Sequence, residues 1–82
     1  MSFSKEDVLD QVLSVVSEKL RIPKENLKPA ATFKDLGVDS LDFVEIVMGL
    51  EDVFSIKIKD ERAEQVKNIQ DVVDLIYELR SK

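Results

Sequence analysis

Neither cysteine nor histidine occurs in the 82 residues. Without cysteine the chain can form no disulfide and no thiolate metal site, and its redox compartment stays open. Without histidine it lacks the usual general base near neutral pH, the imidazole zinc ligand and the partner that activates a serine nucleophile. Self-contained hydrolytic catalysis is therefore not expected. There is no Gly-rich loop to cradle a phosphate and no EF-hand loop, and the apolar runs are short and broken by charge. Met1 leads directly into a capped helix rather than a basic and then apolar leader, so a soluble, untargeted chain without membrane insertion is expected. Glycine and proline occur only twice each, beside 44% hydrophobic and 35% charged residues. That composition excludes low complexity and disorder, and the length allows one core with one exposed working surface.

Basic residues are also missing from one whole stretch. Between Asp35 and Ser55 stand six carboxylates (Asp35, Asp39, Asp42, Glu45, Glu51, Asp52) and neither Lys nor Arg, in a chain of net charge −5. Such a patch repels nucleic acid and attracts basic proteins.

The rest of the pattern is helical. Ser4 with Asp7 fits a capping box, and Leu9, Val12, Leu13, Val16 and Leu20 recur at helical spacing, so a first helix is predicted over 5–20. Pro23, Pro29 and Gly37 punctuate a long connection reaching Asp39. Its Ile22, Leu27, Phe33, Leu36 and Val38 supply apolar area, at roughly 25 cal/mol per Å², to hold it against a helix layer, with one helical turn around 24–27. A second helix is predicted over 41–54. Phe43, Ile46, Val47, Leu50 and Phe54 form its core stripe, and Leu41, Val44 and Met48 form another that cannot face the same core. Gly49 within it costs roughly 1 kcal/mol against Ala and is expected to loosen the helix locally. Residues 54–59 alternate like a strand but have no partner strand, so an extended connector plugging Ile56 and Ile58 inward is expected. A short third helix follows over 60–65, and a last one, capped by Asn68 with Asp71 and carrying Ile69, Val72, Val73, Ile76 and Leu79, runs to 79 or 80. The fold class is all-α: a small antiparallel four-helix bundle of three main helices and one short one, with a long loop between the first two.

Where the loop meets the second helix the chain reads Asp35-Leu36-Gly37-Val38-Asp39-Ser40-Leu41-Asp42. Taken alone, Asp39 and Ser40 suit a helix cap worth about 1 kcal/mol. The run nevertheless resembles the acyl carrier family, whose signature is Gly-x-Asp-Ser-Leu at such a junction. Residues 41–48 resemble that family's recognition helix, and the order of elements matches over essentially residues 1–82, a single carrier domain. The resemblance implies that Ser40, flanked by Asp39 and Leu41, takes a 4′-phosphopantetheine arm from coenzyme A through a phosphopantetheinyl transferase and Mg²⁺. A helix N-terminus suits an attached phosphate. With no histidine to deprotonate it, Ser40 needs another protein's active site, which makes this chain a substrate and shuttle rather than an enzyme.

The resemblance also implies partner contacts at Asp35, Leu41, Asp42, Val44, Glu45, Met48, Asp52, Asp60 and Glu61. The partners would be acyl transferases, ketosynthases, reductases and dehydratases with basic docking patches, met by a monomer. The acyl cargo, at about 0.8 kcal/mol per methylene removed from water, is expected to shelter between the second helix and the later ones, unless that interior is an ordinary packed core. Lys59 stands where the family often has Pro, Val53 where it is often acidic, and Asn68 where a Ser or Thr cap is usual; Lys57, Lys59 and Arg62 dilute the negative surface there. Free-standing length and the acid-rich motif favour fatty acid synthesis in a bacterial cytoplasm. A polyketide carrier, a mature organellar protein and an unmodified acidic interaction module stay open, and a cation-binding regulator or an enzyme ranks below them.

Overall fold

The computed structural model describes residues 4–81. Met1 to Phe3, on which the reading of an absent leader bears, lie outside the described residues. Helix α1, Lys5–Leu20, begins at a reciprocal cap: the Asp7 N–H donates to Ser4 Oγ, and the Ser4 N–H to Asp7 Oδ2. It ends where Arg21 turns left-handed. Three more helices follow: α2 (Ser40–Phe54), α3 (Asp60–Ala63) and α4 (Ile69–Arg80). The turn foreseen after Pro23 is a 3-10 turn over Lys24–Asn26. No helix among the described residues is long and apolar enough to cross a membrane.

Helix α1 packs against both α2 and α4. The core is Val8, Val12 and Val16 from α1, Ile46, Leu50 and Phe54 from α2, and Ile69, Val72, Val73 and Ile76 from α4, closed by Leu27 and Phe33 of the long loop. In α1 the centre of the apolar stripe lies one residue from where the sequence put it. Val8 is fully buried, whereas Leu9, Leu13 and Leu20 only flank the core. The i, i+4 line Val8–Val12–Val16 faces the bundle axis.

Gly49 has a different role from the one its helix propensity suggested. A Cβ there would meet Val15 Cγ1 at 3.1 Å and Lys19 Cε at 3.5 Å. The missing side chain lets α1 and α2 approach closely, so packing, not loosening, accounts for it.

The long loop is pinned at a second place. Thr32 forms an isolated antiparallel bridge with Asn68. The Phe33 N–H donates to the Lys67 carbonyl (2.9 Å), and the Ile69 and Gln70 N–H groups donate to Ala31 and Pro29 carbonyls (3.4 and 2.9 Å). The loop thereby occupies the N–H groups that open α4, whose third, on Asp71, bonds Asn68 Oδ1.

The connector expected over 54–59 is shorter: Phe54 closes α2, Ser55 turns left-handed at φ +53°, and only 56–59 run on without regular structure. Ile58 is buried and Ile56 half-buried, and Ile58 forms a small satellite cluster with Ala63 and Leu75. Its main chain is held by Glu51, whose Oε2 accepts the Ile58 N–H at 2.7 Å. Helix α3 ends two residues sooner than predicted. Gln65 and Val66 donate to Arg62 and Ala63 carbonyls in tight i→i+3 bonds, and Arg62 pairs with Glu78 of α4 at 2.9 Å. A single helical turn has too few internal bonds to extend itself, and the docked connector stops it.

Candidate functional site

Helix α2 starts one residue earlier than its hydrophobic period indicated, because Asp39 rather than Ser40 is its cap. Asp39 Oδ1 accepts the Asp42 N–H at 2.8 Å, and Asp42 Oδ2 receives the Asp39 N–H at 3.5 Å. With that reciprocal cap in place Ser40 becomes the first helical residue. Its side chain is exposed, and among the described residues its hydroxyl has no hydrogen-bond partner. A capping serine would spend that oxygen on the main chain. Here the fold leaves it unused, and the first-turn N–H groups of Ser40 and Leu41 lie outside the cap's reach.

Local geometry aims the hydroxyl outward. Gly37 adopts φ +76°, a left-handed turn that reverses the loop three residues before Ser40. The Val38 N–H bonds back to the Phe33 carbonyl at 3.0 Å, so the loop closes on itself just ahead of the helix. Phe33 in turn meets the Phe43 ring edge to face, centroids 5.5 Å apart and planes at 70°.

A cleft of about 530 Å³ opens beside Ser40, floored by Phe33, Phe43, Val38 and Val66 and bordered by Lys34, Asp39, Glu64 and Lys67. Its walls come from the loop, α2 and the segment after α3, and its lining is chiefly apolar. The space deeper between α2 and α4, lined by Ile46, Val47, Leu50, Val72 and Leu75, holds only about 10 Å³. The interior is thus a packed core, and the room beside the site lies at the surface.

Of the nine residues expected to meet partners, Val44 and Met48 are 51% and 58% exposed and line one groove of about 450 Å³ between α2 and α3, shared with Asp60. Leu41 is 68% exposed and stands outside that groove. Glu45, Asp52 and Glu61 are exposed, and so is Asp35, whose N–H donates to Thr32 Oγ1. Asp42 differs from the others, being half-buried with a carboxylate engaged in the helix cap. Val53, at 50% exposure, adds a further apolar residue to the outer face of α2.

Sequence reasoning missed Thr32, Lys34, Val66 and Lys67 as neighbours of Ser40. No local signal marks them, because they reach the cleft only through docking of the loop on the α3–α4 connector. Among the described residues no cluster of acidic side chains is arranged to hold a metal ion.

Comparison with known proteins bears on this geometry. Residues 10–76 match the family model described as "Phosphopantetheine attachment site". The chain is 45% identical over 76 residues to an acyl carrier protein of Cyanidioschyzon merolae, covering 92% of this chain and 84% of that protein. Acyl carrier proteins of Thermosynechococcus vestitus and Guillardia theta are each 42% identical over 74 residues, covering 89% of this chain and 91% of each relative.

Proposed function

The chain belongs to the phosphopantetheine-attachment family, and from that premise we propose that it is an acyl carrier of fatty acid synthesis whose arm is attached at Ser40. The observation that carries the assignment is the exposed Ser40 hydroxyl, without a hydrogen-bond partner among the described residues, at the first position of α2 with an apolar cleft beside it.

The residues present fit 4′-phosphopantetheine. Ser40 offers an unengaged oxygen, the first turn of α2 offers free N–H groups and the positive end of the helix dipole to a phosphate, and Phe33, Phe43 and Val66 offer apolar surface. When bound, the group supplies a terminal thiol that carries an acyl chain as a thioester. Ser40 itself is a nucleophile without a base, so a visiting phosphopantetheinyl transferase must take its proton while the Ser40 oxygen bonds to phosphorus and the nucleotide part of coenzyme A leaves. On this reading the chain catalyses nothing.

The outer face of α2 supports docking of basic partners such as acyl transferases, ketosynthases, reductases and dehydratases. Glu45 and Asp52 lie exposed, and Val44 and Met48 border an apolar groove. Contacts of that kind combine electrostatic steering with easy release, which a shuttle requires. Asp42 contributes less freely, since its carboxylate already caps the helix. The chemistry suits a bacterial cytoplasm or the interior of an organelle.

The decisive experiment is intact mass before and after incubation with coenzyme A, Mg²⁺ and a broad-specificity transferase. The wild type should gain one phosphopantetheinyl group and Ser40→Ala none. No gain in the wild type would falsify the carrier reading, and a gain that survives the substitution would move the site elsewhere.

A further inference from the structure

Two cations border the cleft at Ser40 and serve no evident purpose in the fold. Lys34 comes from the long loop, next to the buried Phe33, and Lys67 from the connector between α3 and α4. The Phe33 N–H to Lys67 carbonyl bond, 2.9 Å, holds those two segments together and so brings both lysines to one cleft. Both side chains are exposed, and among the described residues neither enters an ion pair. The pairs that do form, Lys5–Asp74, Lys24–Asp10 and Arg62–Glu78, leave the surroundings of Ser40 untouched.

The neighbourhood of Ser40 is otherwise acidic. Asp39 and Glu64 border the same cleft, and Asp35 and Asp42 flank the serine in sequence. A phosphodiester on the Ser40 oxygen adds one more negative charge to that field, and like charges this close disfavour one another. Beyond the N–H groups and dipole of α2, only Lys34 and Lys67 among the charged side chains bordering the cleft can oppose it.

We propose that Lys34 and Lys67 are positioning residues for the arm: together they hold the phosphodiester on Ser40 and draw the first atoms of the prosthetic group toward the apolar cleft. The proposal rests on the reading of Ser40 as the attachment point. Neither lysine touches a reacting atom, and since both side chains are exposed and without an ion pair among the described residues, the bundle should fold without them.

The test compares apo and arm-bearing forms of the wild type, Lys34→Gln/Lys67→Gln and Lys34→Arg/Lys67→Arg, each loaded with coenzyme A and verified by intact mass. Thermal melts are recorded at about 0.01 M and about 1 M salt, where the screening length falls from about 30 Å to about 3 Å. Apo melting temperatures should agree among the three proteins. At low salt the holo-minus-apo difference should be roughly 3 °C lower in the Gln variant than in the wild type, with the Arg variant matching the wild type, and the gap should close at high salt. Equal differences in loaded wild-type and Gln proteins at low salt would overturn the lysine assignment and leave Ser40 standing. Failure of the wild type to gain mass would remove both.

Discussion

Gly37 and Ser40 form the smallest unit with a consequence for function. Gly37 has a left-handed φ of +76° and a Cβ added there would meet nothing within 4 Å, so the constraint is backbone conformation and not space. An L side chain in that region costs about 1–2 kcal/mol. Gly37→Ala should therefore destabilise the fold by about that amount in urea unfolding. If Gly37→Ala were neutral, the turn that presents Ser40 would not depend on glycine. Glycine in the Gly-x-Asp-Ser-Leu run was legible in the sequence, as was the serine. Which of Asp39 and Ser40 caps the helix was not, because both residue types cap well and only the geometry places Asp39 Oδ1 at 2.8 Å from the Asp42 N–H.

At the scale of elements, α2 carries two apolar faces and spends them differently. Ile46, Leu50 and Phe54 are buried, while Leu41, Val44 and Met48 lie more than half exposed, as the width of the apolar sector required. Its carboxylates divide in the same way. Glu45 and Asp52 are exposed, but Glu51 holds the Ile58 main chain and thereby fixes the connector that delivers α3 to the groove. Glu51→Ala would leave the N–H of a buried residue without its acceptor, a loss of about 1–3 kcal/mol, whereas Glu51→Gln retains an acceptor and should lose less. Denaturant melts of the two variants check the order; equal stabilities would mean that the bond contributes nothing.

Across the whole molecule the charge is uneven, and on the proposed function the exposed acids of α2 steer basic partners. Glu45→Lys should slow loading by a basic transferase severalfold more at low salt than at high salt, because screening removes steering between exposed charges. Rates equally reduced at both salt concentrations would point instead to a lost direct contact. Elsewhere the ends of the bundle are tied by Asp74 of α4, which receives Gln70 Nε2 at 3.1 Å and Lys5 Nζ of α1 at 3.2 Å. The Gln70 hydrogen bond is the main cause that holds the Asp74 carboxyl below its ordinary value of 3.8; burial opposes it, and the Lys5 hydrogen bond and charge add to the lowering. A depressed folded-state value stabilises the fold above the ordinary aspartate range, and the contribution disappears as pH falls through the lowered value. Asp74 is half exposed, so Asp74→Asn should cost at most about 1 kcal/mol at neutral pH, and the two proteins should converge in strong acid. A gap that persisted below the lowered value would assign the loss to something other than charge.

The sequence by itself determined the helices, the caps of α1 and α4, the exposed second stripe of α2, the acidic stretch and the serine at the loop-to-helix junction. Each of these depends on residues within about four positions of one another, so caps and periods express them before any tertiary contact forms. Tertiary structure alone decided that Glu51 is committed to the Ile58 main chain, that Gly49 serves a close helix approach, and that the interior is filled while the open space lies beside Ser40. It also decided that Lys34 and Lys67 share that space. Those outcomes follow from how helices, connector and long loop pack on one another, which no local spacing encodes.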